Sequence, residues 1–256
     1  MSRRRALATT AGVTAAGLTT TGLLASPATA APRLPGAAPA QASKRKPPRN
    51  EELKRALREF EARRRHILTG RPSANQWDMQ KAVDADGDIV TRPVPGTGLD
   101  VAVRTGDAGT LLIHAVRRFH YEIDALGLPG EPTPLVGWVA PSAVRDSRLP
   151  LSNQASGTAV QIRPGSYPPG ARGGFTKAQQ LVIRDIIADT EGLLRWGGDD
   201  RPAHEGLFHV TARPGDPRLP RVAAKLRTWN ETPGTGAGVI ADMTEPTRRR
   251  RAARYQ

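Results

Sequence analysis

The chain has 256 residues, enough for one domain or two small ones, and carries 38 Lys and Arg against 24 Asp and Glu, a formal net charge of +14. It has no cysteine, which excludes disulfides, thiolate metal ligands and a cysteine nucleophile. The charge is gathered in two runs, Lys44 to Arg65 and Arg248 to Arg254, a distribution that attracts polyanions.

The first elements read as export signals. Ser2-Arg3-Arg4-Arg5 precedes a mildly apolar stretch, Ala6 to Leu24, and Ser26-Pro27-Ala28-Thr29-Ala30 supplies a small-residue cleavage site, so residues 1–30 are predicted to be a secretory signal peptide. Paired arginines and low hydropathy point to the twin-arginine route, although Ala6 stands where a large apolar residue is expected. Removal of Arg3, Arg4 and Arg5 leaves +11, and no later apolar run reaches membrane length. Outside the membrane the available polyanions are anionic wall polymers, acidic lipid and peptidoglycan carboxylates. Nucleic acid is not expected, because stacking aromatics do not alternate through the basic runs. A monomer is expected.

Residues 31–50 are Pro-, Ala- and Lys-rich and read as a linker. A basic helix is predicted within residues 51–70, with Leu53, Ala56, Leu57, Phe60 and Ile67 on a thin apolar stripe and Gly70-Arg71-Pro72-Ser73 ending it. The main domain is placed at 71–232. Asp84-Ala85-Asp86-Gly87-Asp88 has alternating carboxylates but lacks the sixth-place Gly and twelfth-place acid of a calcium loop, and is predicted to be a solvated hairpin turn. Ile89-Val90 and Leu99 to Val103 are strand candidates, with Val101 and Val103 on one face.

Thr110 to Leu126 has the clearest helical period. His114 and His120 are about 600° apart around its axis and cannot form an i,i+4 metal pair. His120 is expected to be partly buried and His114 solvated or locally bonded. Val136 to Val139 reads as a short strand. A helix starts after Thr176, whose hydroxyl and Gln179 form a capping box, with Ala178, Leu181, Val182, Ile186 and Ala188 expected to be buried. Leu193 to Trp196 and Leu207 to Val210 are strands, Leu219 to Trp229 is a helix, and residues 233–256 are expected to be a flexible basic tail. The sum is an α+β domain: a small, mostly antiparallel sheet with helices packed on one side.

The run Leu151-Ser152-Asn153-Gln154-Ala155-Ser156-Gly157-Thr158-Ala159-Val160-Gln161 resembles the S-x-H-x-x-G-x-A-x-D signature of the zinc D-alanyl-D-alanine carboxypeptidase and L-alanyl-D-glutamate peptidase superfamily. Trp196-Gly197-Gly198-Asp199 resembles that superfamily's W-G-G-D segment. His204-Glu205-Gly206-Leu207-Phe208-His209 falls where its D/E-x-x-H-F strand would stand, and Arg117 to Glu122 looks like the preceding helix of actinobacterial members. The resemblance runs from about Asn75 to Trp229 and implies a hedgehog/DD-peptidase-like fold.

It also implies which positions would hold zinc, and these depart from the pattern. The two His and one Asp ligands fall on Gln154, Leu207 and Gln161, and the general-base carboxylate falls on His204. Neutral amides are weak zinc donors and Leu is none. No metal and no cofactor are therefore expected, and the cleft is expected to bind a peptidoglycan stem peptide without hydrolysing it. Ser152, Gln154, Gly157, Thr158, Gln161, Arg163, Arg172 and Trp196 are the candidate binding residues, with the arginines suited to a stem carboxylate. A rival is an active peptidase with zinc held by a rearranged set, His204, Glu205 and His209; these do not form H-E-x-x-H, because the second His comes one residue late. A second rival is a polyanion-binding envelope protein acting through its basic arms. A serine hydrolase is not indicated, since neither Ser152 nor Ser156 lies in G-x-S-x-G.

Overall fold

The computed structural model describes residues 50–239, 242 and 244–255; the expected signal peptide, and the expected linker apart from Asn50, lie outside them. The first elements are α1 (Asn50–Ile67), the hairpin of β1 (Leu68–Pro72) and β2 (Asp78–Gln80), and the hairpin of β3 (Ile89–Val94) and β4 (Leu99–Arg104). They are followed by α2 (Asp107–Glu122), β5 (Leu135–Val136), β6 (Ala159–Ile162) and α3 (Lys177–Asp189). The last are β7 (Leu194–Trp196), β8 (Leu207–Val210), α4 (Arg218–Glu231) and α5 (Pro246–Ala253). Strands β5-β6-β8-β7 form a four-stranded antiparallel sheet, so the protein is α+β.

The sheet's two faces follow from the two-residue period of its strands. Val160, Ile162, Phe208, Val210, Leu194 and Trp196 point to the core that α2, α3 and α4 close. Phe119 of α2 sits at its centre, meeting Phe175 and Phe208 edge-on at 5.8 and 6.4 Å. The opposite face carries Ala159, Gln161, Leu207 and His209, paired Ala159 with His209 and Gln161 with Leu207 across β6 and β8. A 3-10 turn, Pro150–Gln154, packs against that second face.

Local chemistry explains the ends of two helices. The capping box at Thr176 and Gln179 is formed and starts α3, a motif contributing about 0.5–2 kcal/mol. Helix α2 starts three residues earlier than Thr110, after Gly106 at φ +73°, and ends at Glu122, not Leu126. The half-buried His120 accepts the Leu126 N–H at its Nδ1 (3.0 Å), which turns the chain out of the helix.

Several expectations are corrected. Gly70 to Pro72 does not end a helix in a loop but lies in β1, paired with β2. The 84–88 turn joins strands of two different sheets, so it is a bend and not a hairpin. Its Asp84 accepts from the Thr91 N–H and hydroxyl, while Asp88 receives Arg104 Nη1 at 2.8 Å. On α3, Ala178 and Leu181 are exposed; Ile183, Ile187 and the carboxylates Asp185 and Asp189 are buried instead.

The largest correction concerns the C-terminal segment. Pro246–Ala253 is helical, and Arg248 and Arg251 reach Asp185 and Asp189 on α3 at 2.5–3.1 Å. His114, expected to be solvated, is fully buried with Nε2 3.2 Å from the Asp189 carboxylate. Arg118 joins the same cluster, bonding Asp185 and Asp189 at 2.7 Å each and forking onto Glu122. Burial opposes charge on Asp189, but the His114 bond and the Arg118 charge outweigh it and hold its pKa at about 2. Burial pushes His114 down, so its ring is neutral near pH 7. Neither the helix nor its partners were visible in the basic composition of the tail.

Candidate functional site

The four positions singled out by the family resemblance converge on the sheet's second face. Gln161 and Leu207 are register partners, and Gln154 enters from the 3-10 turn that covers them. His204, just before β8, completes the group: its Nε2 lies 2.7 Å from Gln161 Nε2. Burial lowers the His204 pKa, outweighing the nearby Asp200 charge, so the neutral ring accepts the Gln161 amide N–H.

Both amides of the group are engaged through their nitrogens, Gln161 with His204 and Gln154 with backbone carbonyls. The Gln154 amide nitrogen donates to the carbonyls of Gly137 (3.0 Å) and Val136 (3.3 Å). Leu207 is 1% exposed and presents hydrocarbon. Among the described residues no three His, Asp or Glu side chains are grouped as metal ligands would be.

The rearranged set is not assembled either. Glu205 precedes β8 and turns its carboxylate to the Gly173 and Gly174 N–H groups, at 2.9 and 2.7 Å. His209 points to the same face as Leu207 but lies 3.0 Å from Asp200, which also accepts from Arg195 at 2.7 Å. His204, Glu205 and His209 therefore have three separate partners.

The remaining candidates are mostly structural. Ser152 donates to the Ser147 carbonyl and accepts from the Ala74 N–H, while Thr158 sits in a buried network with Asn75, Asn153 and Ser156. Gly157, at φ +68°, passes so near β4 that a Cβ there would lie 2.7 Å from Arg104 N; no other residue fits without displacement. Trp196 points into the core and donates to the Glu205 carbonyl at 2.6 Å. Arg163 is taken up by Glu131, Asp124 and the Ala125 carbonyl, and Arg172 by the carbonyls of Gly198 and Asp200, so neither faces the cleft as a free cation.

Two adjoining hollows open on this face, both bordered by Leu149 and Leu151. One, of about 350 Å³, is lined by Val139, Val144, Arg145, Gln154 and Gln161. The other, of about 90 Å³, is apolar and floored by Pro150, Pro202, Ala203 and Leu207, with His204 at its edge. Sequence reasoning missed Arg145. It is exposed at the larger hollow in a loop without periodic pattern, and only the fold brings it to the same hollow as Gln161. No helix among the described residues is long and apolar enough to cross a membrane.

Set against family models, curated proteins and solved structures, the chain finds no match in any of the three.

Proposed function

We propose that this is an exported, envelope-associated protein with a hedgehog/DD-peptidase-like fold whose cleft receives a peptidoglycan stem peptide and does not hydrolyse it. The observation that supports this most is the convergence of Gln154, Gln161, His204 and Leu207, distant in sequence, on one hollowed sheet face. These are the positions where the family resemblance would place a metal site. The residues present do not fit zinc: a catalytic ion needs three good donors and an open position. Here one position is hydrocarbon and two are amides whose nitrogens already donate within the protein.

What the face retains is suited to a peptide. Gln161 and the His204 ring offer an amide and an imidazole beside apolar walls, a setting for one backbone amide and one small side chain. Arg145, in place of Arg163 and Arg172, is the cation available to a stem carboxylate.

Calorimetric titration of the purified protein with a stem pentapeptide, run alongside metal analysis and product detection with and without added Zn²⁺, tests this reading. Binding without cleavage and without retained zinc is expected. Arg145→Ala should weaken that binding about tenfold, the scale of one charge-assisted hydrogen bond. Zinc-dependent release of D-alanine or a dipeptide would overturn the reading in favour of an active peptidase.

A further inference from the structure

Helix α1, the longest helix among the described residues, has almost no buried face. Of its 18 residues only Ile67 is buried, and Leu53, Leu57 and Phe60 are 54%, 55% and 51% exposed. At about 100° per residue these three fall within an arc of about 60°, so they form a continuous apolar ridge. Lys54, Arg58 and Arg65 lie along one flank of that ridge, about 100–140° from Leu53, with Glu61 and Glu51 bordering them at about 80° and 160°. Glu51 and Glu59, two of the four acids on the helix, are paired internally with Lys54 and Arg55 at 3.0 and 3.1 Å. The C-terminal end of α1 is fastened to the domain by Arg64 to Asp88 (3.4 Å) and by Lys81 Nζ to the His66 carbonyl (3.0 Å).

We propose that α1 lies on an anionic lipid bilayer, with Leu53, Leu57 and Phe60 seated at the headgroup–acyl boundary and Lys54, Arg58 and Arg65 against lipid phosphates. A helix whose apolar face is narrow and whose polar face is basic partitions into that boundary without spanning it. Lys44, Arg45, Lys46 and Arg49, immediately before it in the chain, add to the attraction. Charge complementarity selects an anionic surface over a second copy of this strongly basic chain, whose formal net charge of +14 would repel its counterpart. The proposal is independent of the cleft, because α1 and the Gln161 face share no residue.

The test uses the full chain carrying Phe60→Trp, mixed with vesicles of brominated phosphatidylglycerol or brominated phosphatidylcholine. Quenching beyond that of the unsubstituted chain, seen with phosphatidylglycerol and reduced by salt, is expected. Adding Leu53→Ser and Leu57→Ser should weaken the partitioning reported by this signal at least about tenfold. The unfolding midpoint should not move, since neither side chain is buried. Absence of extra quenching on anionic vesicles would overturn the proposal. So would lipid-free self-association, read by sedimentation velocity, that the two Ser substitutions abolish. Stem-peptide titration of the same variants reports on the cleft alone, so the two readings fail separately.

Discussion

The α2–α3–α5 cluster and the cleft face of the sheet both bury polar side chains, and they do so by opposite means. In the cluster three arginines, Arg118, Arg248 and Arg251, meet the carboxylates of Asp185 and Asp189, and full charges are kept because each is surrounded by opposite ones. In the cleft, Gln154, Gln161, neutral His204 and Leu207 leave the centre without formal charge, while the charged neighbours Glu205 and Asp200 are bonded to the walls. The difference separates a region where removing one group leaves an uncompensated charge from one where it leaves a gap or a loose amide. Buried charge must be matched locally; a buried amide needs hydrogen-bond partners, and buried hydrocarbon needs only packing.

The sharpest way to break this comparison is Arg118→Ala. It would leave Asp185, Asp189 and Glu122 short of a shared cation, and a loss of about 3–5 kcal/mol in urea unfolding is expected. A loss below that of a cleft substitution would show that the cluster is not held by charge. Leu207→Ala is the matching change in the cleft, where about 2–4 kcal/mol is expected from lost burial and the cavity left behind.

Truncation after Glu245 comes next. Arg248 and Arg251 are partly exposed, so removing them should cost about 1–2 kcal/mol, read as a lower thermal midpoint. An unchanged midpoint would restore the freely moving tail inferred from composition. The smallest effect is in pH dependence. The folded pKa of His114 is depressed, so the unfolded chain takes up a proton near pH 6.5 that the folded protein refuses; stability therefore falls as pH drops below that value. Asp189, also depressed, adds stability above pH 4 that is lost as pH falls toward about 2. His114→Gln should reduce the slope of unfolding midpoints measured between pH 6.5 and 5, leaving the part due to His204, whose pKa is also depressed, and the lower step in place.

How much of this was legible beforehand depended on the range of the signal. The sequence-level expectation for β8 matches its observed bounds, and the core of α2 and the α3 capping box were likewise readable, because each is written within about one turn or one strand of chain. In the site, the resemblance marked Gln154, Gln161, His204 and Leu207, and they meet. It also marked Trp196, Ser152 and Thr158, which the fold turns to core and loop bonds. Arg163 and Arg172 were misjudged because a basic residue near a motif carries no mark of the acid or carbonyl that will claim it.

The sequence by itself determined the α+β class, the alternation that gives the sheet a core face and a cleft face, and the charge that leaves this chain strongly basic. Tertiary structure alone decided the partners: His114 with Asp189, Arg248 and Arg251 with Asp185 and Asp189, Glu205 with two backbone N–H groups, and Gln161 with His204. The physical reason is one of distance along the chain. Periodicity and capping act between residues a few places apart, whereas a charged or amide side chain is settled by whichever group the folded backbone brings within about 3 Å.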